Sequence, residues 1–139
     1  MPNVPQRAKG LTIGIVAGEA SGDALAATLI AAVRQELPQA RFVGVAGPRM
    51  QAAGCEPWFP LETLSVVGLV EVVKHLPQLL GLRRALIRKL LAARVSLFIG
   101  VDAPDFNLGV EAELKRAGVR TMHFVSPSIW AWRRERVHK

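Results

Sequence analysis

The chain has a single cysteine, Cys55, so no internal disulfide can form and a reduced compartment fits best. It follows Gly54 in a turn and reads as a packing residue or a bystander. No apolar stretch is long and charge-free enough to span a bilayer. The three histidines, His75, His123 and His138, share no metal-ligand spacing, so no metal site is expected from them; no resident cofactor is expected either. The loop after the first apolar run is neither a GxGxxG nor a Walker sequence, which excludes dinucleotide and P-loop readings on spacing. Internal repeats and low-complexity tracts are missing. A signal peptide is imitated but excluded: Arg7 and Lys9 precede the apolar run Leu11–Ala17, yet Glu19 and Asp23 interrupt the way to the cleavage-like Ala24-Leu-Ala26, and the run is short. Acid is missing from Arg83, Arg84, Arg88, Lys89 and Arg94, and only Glu135 opposes Arg133, Arg134, Arg136 and Lys139.

What is present is globular. Half of the 139 residues are hydrophobic (50%) and 21% are charged, enough for one domain with a real core but not two. The formal net charge is +7. Concentrated in those two stretches, it favours anionic partners: nucleic acid, phosphorylated substrates or anionic lipid headgroups.

Along the chain, residues 1–10 read as a flexible N-terminal arm and 11–139 as one α/β domain. Leu11–Ala17 reads as a buried strand, followed by the turn Gly18-Glu-Ala-Ser-Gly-Asp23 and a helix that Pro38 stops. Arg41–Ala46 is a second strand, Gly47-Pro-Arg-Met50 opens a short helix ended by Gly54, and Glu56–Pro60 is a third strand. Leu64–Leu80 is apolar and interrupted by Gly68 and Pro77, so helical pieces are expected. Gln78–Ala93 is a firmer helix that gathers Leu79, Leu82, Leu86 and Leu90 on one side, Ile87 at the flank and Arg84 and Arg88 opposite. Arg83 falls near the apolar stripe, so its head group must snorkel out or meet a partner. Val95–Val101 is a fourth strand, Leu108–Ala117 a helix stopped by Gly118, and Val119–Val125 a fifth strand. Strands alternating with helices imply a mostly parallel, Rossmann-like sheet.

Ligands of open α/β sheets sit beyond the carboxyl ends of the strands. Two segments there break into Pro, Asp, Ser and Trp: Ile99-Gly-Val-Asp-Ala-Pro-Asp-Phe-Asn107 and Val125-Ser-Pro-Ser-Ile-Trp-Ala-Trp-Arg133. They suggest one shared site. Gly18 and Gly22 would let a ligand approach the backbone at a helix start, where free N–H groups favour anions, but the motif taken alone favours the simpler reading, Ser21 or Asp23 as a cap on that helix. Asp102 is the candidate general base. Asp105 suits the cap of the following helix, with Pro104 rigidifying the turn. Asn107 supports a ligand or closes the turn, Trp130 and Trp132 pack on the sheet edge or form a sugar or acyl platform, and His123 contacts substrate or is a satisfied core histidine. The stretch Leu64–Arg94 is a packed helix pair or an interfacial surface, with Val67, Leu69, Arg83 and Arg84 as membrane contacts in the second case.

Val16-Ala-Gly-Glu-Ala-Ser-Gly-Asp23, Gly44-Val-Ala-Gly-Pro-Arg-Met50, Val67-Gly-Leu-Val-Glu-Val72, the Asp102 loop and the Trp130 loop together resemble lipid-A-disaccharide synthase, in that family's order and over nearly the whole chain from Leu11 onward. The resemblance implies the N-terminal, acceptor-side domain of a GT-B glycosyltransferase with two Rossmann-like domains. Its substrates would be UDP-2,3-diacylglucosamine and 2,3-diacylglucosamine 1-phosphate, and its products the β-1,6 disaccharide and UDP. It would work as a peripheral protein on the cytoplasmic face of the Gram-negative inner membrane, without a metal. Asp102 corresponds to that family's proposed base, and Glu19 and Ser21 to its active-site loop. Gly18, Asn107, Ser126 and Trp130 complete the expected substrate-binding set. The UDP site of the family lies mainly in its C-terminal domain, expected to be absent from these 139 residues, so the chain alone is expected to be inactive. The competing reading is a nucleotide- or nucleic-acid-binding Rossmann-like module. Against it, the first basic stretch has no interleaved aromatics and no nucleic-acid-reading motif appears.

Overall fold

The computed structural model describes residues 10–64 and 72–125. The expected contacts Val67, Leu69, Ser126 and Trp130, with most of the arm, lie outside them. The described elements run β1 (Thr12–Ala17), α1 (Ala20–Glu36), β2 (Arg41–Ala46), α2 (Pro48–Ala52), β3 (Cys55–Pro60), α3 (Val72–Ala92), β4 (Leu97–Val101), α4 (Pro104–Arg116) and β5 (Arg120–Phe124). All pairings are parallel and the strand order is β3-β2-β1-β4-β5. This is the expected α/β class with a Rossmann-like sheet. Because the chain leaves β1 first toward β2 and later toward β4, the order reverses between β1 and β4, and that is where such sheets open a ligand crevice.

The central strand explains itself chemically. All six residues of β1 are buried, as a strand covered on both faces requires. Ile13, Ile15 and Ala17 join Ala26 and Ile30 of α1 and Met50 of α2 in one core. Val16 joins Leu86 and Leu90 of α3 and Phe106, Val110 and Leu114 of α4 in the other. The stripe expected on α3 is observed: Leu86 and Leu90 are fully buried, Leu79, Leu82 and Ile87 pack against the same core, and Arg84 and Arg88 are exposed. A Cβ on Gly14 would meet the Leu90 side chain at 2.6 Å, so glycine in β1 is what lets α3 settle onto the sheet.

β3 carries an irregularity that alternation alone does not predict. Its register against β2 shifts between Gly44 and Val45, with Gly44 opposite Pro57 and Val45 opposite Phe59. Trp58 is the extra residue, so it and Phe59 both pack toward the α3 core. Lys89 of α3 lies over the two rings at 5.2 and 5.6 Å, a cation–π arrangement. Gly44 has φ +147°, and a Cβ there would lie 2.1 Å from the Ile15 carbonyl oxygen, so no other residue fits.

Several expectations need correction. α3 begins at Val72 and runs through Pro77, rather than starting at Gln78. α4 begins at Pro104, not Leu108, because proline at the first helical position has a preset φ and no N–H to satisfy. Neither Ser21 nor Asp23 caps α1: Glu19 holds the N-cap position and no side chain bonds there. Asp105 is not the cap of α4 either, since Ala103 occupies that position. Cys55 is the buried first residue of β3 rather than part of a turn.

Candidate active site at the sheet switch point

β1 ends at Ala17 and β4 at Val101, paired neighbours in the sheet. The chain beyond each end turns at once into a helix, α1 after Gly18-Glu19 and α4 after Asp102-Ala103. Two helix N-termini, whose unpaired N–H groups carry partial positive charge, therefore start side by side at one edge of the sheet. The loops touch: a Cβ on Gly18 would lie 2.9 Å from Ala103 Cβ.

The turn after β4 is unusual. Asp102 (φ 49°) and Ala103 (φ 42°) are consecutive non-glycine residues in the left-handed region, where side chains crowd the backbone and strain is stored. This sharp reversal is what carries the chain from strand to helix without a longer loop. Asp102 is only 2% exposed, and its N–H donates to the Phe124 carbonyl at 2.7 Å, tying it to β5.

Asn107, one turn into α4, is fully buried. Its Nδ2 donates to the carbonyls of Asp102 (3.0 Å), Val16 (3.3 Å) and Val101 (3.4 Å). Of the two roles open from sequence, this geometry is the closing of the turn. The amide nitrogen is turned to the main chain.

Glu19 and Ser21 are exposed on the rim and Gly18 is buried at its base, so the structure brings Gly18, Glu19, Ser21 and Asp102 to one edge of the sheet. Asp23, from the same motif, does something sequence reading missed. Its carboxylate is 3% exposed and accepts N–H bonds from Gly47 (3.1 Å), Arg49 (3.0 Å) and Met50 (3.0 Å). It thus caps α2 rather than its own helix, and joins the first loop to the Gly47-Pro-Arg-Met50 motif.

His123 pairs through Nδ1 with Glu111 Oε2 at 2.8 Å, on the α4 face of β5, so it has a carboxylate partner. The Arg83 guanidinium packs over α4 at Gly109, where a Cβ would come within 2.1 Å of Nη1. Arg84 stays exposed. Burial raises the Cys55 thiol from 9.0 to about 12, with the neighbouring Glu56 and Asp23 charges adding to the shift and Arg34 opposing it. Such a thiol is inert at neutral pH. Among the described residues no group of three His, Cys, Asp or Glu side chains could hold a metal ion, and no helix is long and apolar enough to cross a membrane.

A family model described as lipid-A-disaccharide synthetase matches residues 13–139. The chain is 60% identical over 132 residues to a lipid-A-disaccharide synthase of Sodalis glossinidius (strain morsitans), covering 95% of this chain and 35% of that protein. It is 60% identical over 127 residues to one from Actinobacillus pleuropneumoniae serotype 5b (strain L20), covering 91% and 32%. It is 59% identical over 129 residues to one from Azotobacter vinelandii (strain DJ / ATCC BAA-1303), covering 93% and 34%. The chain spans about a third of the length of the curated relatives it matches.

Proposed function

The chain belongs to the lipid-A-disaccharide synthetase family, and from that premise we propose that it carries the acceptor side of an inverting glycosyltransferase of lipid A biosynthesis. The observation that carries this reading is the meeting of the Gly18 and Asp102 loops at the switch point between β1 and β4. In this proposal 2,3-diacylglucosamine 1-phosphate lies in the crevice with its 6-hydroxyl against Asp102. The carboxylate takes the hydroxyl proton, the oxygen attacks the anomeric carbon of UDP-2,3-diacylglucosamine, and UDP leaves from the opposite face. Inversion gives the β-1,6 disaccharide.

Glu19 and Ser21 on the exposed rim hold the acceptor, and Gly18 keeps the floor of the crevice flat enough for close approach. Ser126 and Trp130 belong to this set by sequence alone. The two helix N-termini favour negative charge developing in the crevice. Residues 11–139 are proposed as one Rossmann-like domain of the transferase, and the UDP half of the site as part of the remaining length that the relatives have. Both substrates carry acyl chains, so the protein works at the cytoplasmic face of the inner membrane, with Arg84 and Arg88 of α3 toward anionic headgroups.

The test is Asp102→Asn in the intact protein, read as UDP release from the two substrates. Asparagine keeps the shape and tolerates a left-handed φ, so the melting temperature should hold while turnover nearly vanishes. Near-normal turnover overturns the assignment.

A further inference from the structure

We propose that Asn107 is a positioning residue for Asp102, holding the carboxylate-bearing turn against its own strain. The inference rests on the reading of Asp102 as the base and adds a residue that does not touch substrate.

Two consecutive residues, Asp102 and Ala103, stand at φ 49° and 42°. A left-handed residue that is not glycine relaxes unless its surroundings over-determine it. Backbone bonds supply part of that over-determination, from Asp102 N–H to the Phe124 carbonyl and from the Phe106 and Asn107 N–H groups to the Ala103 carbonyl, and the Asn107 side chain adds bonds that reach both strands. Asn107 Nδ2 donates to the carbonyl of Asp102 itself, to Val101 at the end of β4, and across the sheet to Val16 near the end of β1. The amide therefore fixes the position of the turn relative to both strands that bound the crevice. Its neighbour Gly100 makes room for it: a Cβ there would lie 2.8 Å from Asn107 Cβ and 2.9 Å from Cγ.

The acceptor half of the amide shows what this placement demands. Asn107 Oδ1 is buried and has no hydrogen-bond partner among the described residues. An apolar residue of the same volume would fill the space without burying an unpartnered oxygen, which is unfavourable. An asparagine is suited to this place by its donors, which link the turn that carries Asp102 to the ends of β4 and β1.

The experiment uses the intact enzyme, with kcat and KM for both sugar substrates, the melting temperature, and a cycle with Ala103→Gly. Displacement of a reacting group by about 1 Å costs roughly 100-fold in rate. Asn107→Ala should therefore lower kcat by about 30- to 100-fold while KM for both substrates stays within about threefold. Glycine takes the left-handed region without strain. In the Ala103→Gly background the same substitution should therefore cost several-fold less, an interdependence that a residue needed only for global stability would not produce. In an Asp102→Asn background it should change the residual rate little.

Should Asn107→Ala not fold, Asn107→Ser keeps one donor and should show a smaller loss of kcat with the same pattern. Unchanged kcat in the folded variant overturns the proposal, as does a rise in KM alone, which would make Asn107 a substrate contact. An equal loss in both backgrounds overturns it as well. Near-normal turnover in Asp102→Asn is a separate outcome: it removes the base assignment, and this inference with it.

Discussion

Gly18 and Ala103 are in contact where the loops after β1 and β4 meet, so close that a methyl on Gly18 would sit 2.9 Å from Ala103 Cβ. Gly18 is not among the positive-φ glycines Gly44, Gly54 and Gly118, so alanine is permitted there by the backbone and only the contact opposes it. Gly18→Ala should push the two loops apart, with overpacking costing about 1–3 kcal/mol and turnover falling by about tenfold or more. Removing the opposing methyl relieves the clash, so the Gly18→Ala/Ala103→Gly double variant should regain much of that turnover. Steady-state UDP release on the four proteins checks this. Independent, additive losses would mean that the loops are not coupled through this contact.

The two aspartates expected to cap their own helices should behave very differently. Asp23 accepts three backbone N–H bonds from the start of α2 while buried, and charge-assisted bonds of this kind are the strong ones. Asp23→Ala should cost about 2 kcal/mol or more, at or above the upper end for a capping side chain. Asp105 is exposed in the first turn of α4, where no side-chain capping bond is made and its charge can interact with the helix dipole. Asp105→Ala should then cost about 0.3–1 kcal/mol. Denaturant melts of the two variants decide the order, and an Asp105 loss equal to that of Asp23 would contradict it.

What the sequence made legible follows from how local the signal was. The buried run of β1 and the stripe Leu79, Leu82, Leu86 and Leu90 are short-range periodicities, and each appears in the structure as read. Asp102 was singled out because it directly follows a strand, which is also local. Three features were not readable, because each is set by residues distant in sequence or by backbone geometry. Asp23 caps a helix 24 to 27 residues further on, so its spacing suggested only its own helix. The start of α4 at Pro104 depends on Asp102 and Ala103 entering the left-handed region, which side chains such as theirs do not announce. Arg83 was placed near the apolar stripe, but nothing in its own neighbourhood shows that Gly109 leaves a seat for its guanidinium.

Cys55 provides a prediction on pH. Burial first, then Glu56 and Asp23, raise its pKa from 9.0 to about 12. In the unfolded chain the thiol ionises near its ordinary value, while in the folded chain it stays protonated. Proton binding to the folded state is therefore tighter. The thiol leaves stability unaffected below about pH 9, and stability falls as pH rises from there toward about 12. Cys55→Ala should flatten that part of the stability–pH curve. Native protein at pH 8 should react with a thiol reagent only at the rate at which it unfolds, whereas fast stoichiometric labelling would show an accessible thiolate.

The membrane proposal divides the arginines of α3. Arg84 and Arg88 are exposed and, beside an anionic surface, contribute up to about 1 kcal/mol each. Arg83 lies over α4 at Gly109, so it is expected to contribute less to surface binding than Arg84 and Arg88, and Leu64 belongs to the core at 6% exposure. Binding to vesicles containing anionic lipid should weaken with salt, and Arg84→Gln/Arg88→Gln should reduce it without altering the melting temperature. Arg83→Gln should do the reverse, loosening the α3–α4 contact and lowering the melting temperature with little change in vesicle binding. Val67→Ser/Leu69→Ser, outside the described residues, should remove the salt-resistant part of binding if those side chains meet lipid. If that double variant unfolds and the parent protein ignores vesicles at low salt, the segment is core and the membrane reading fails.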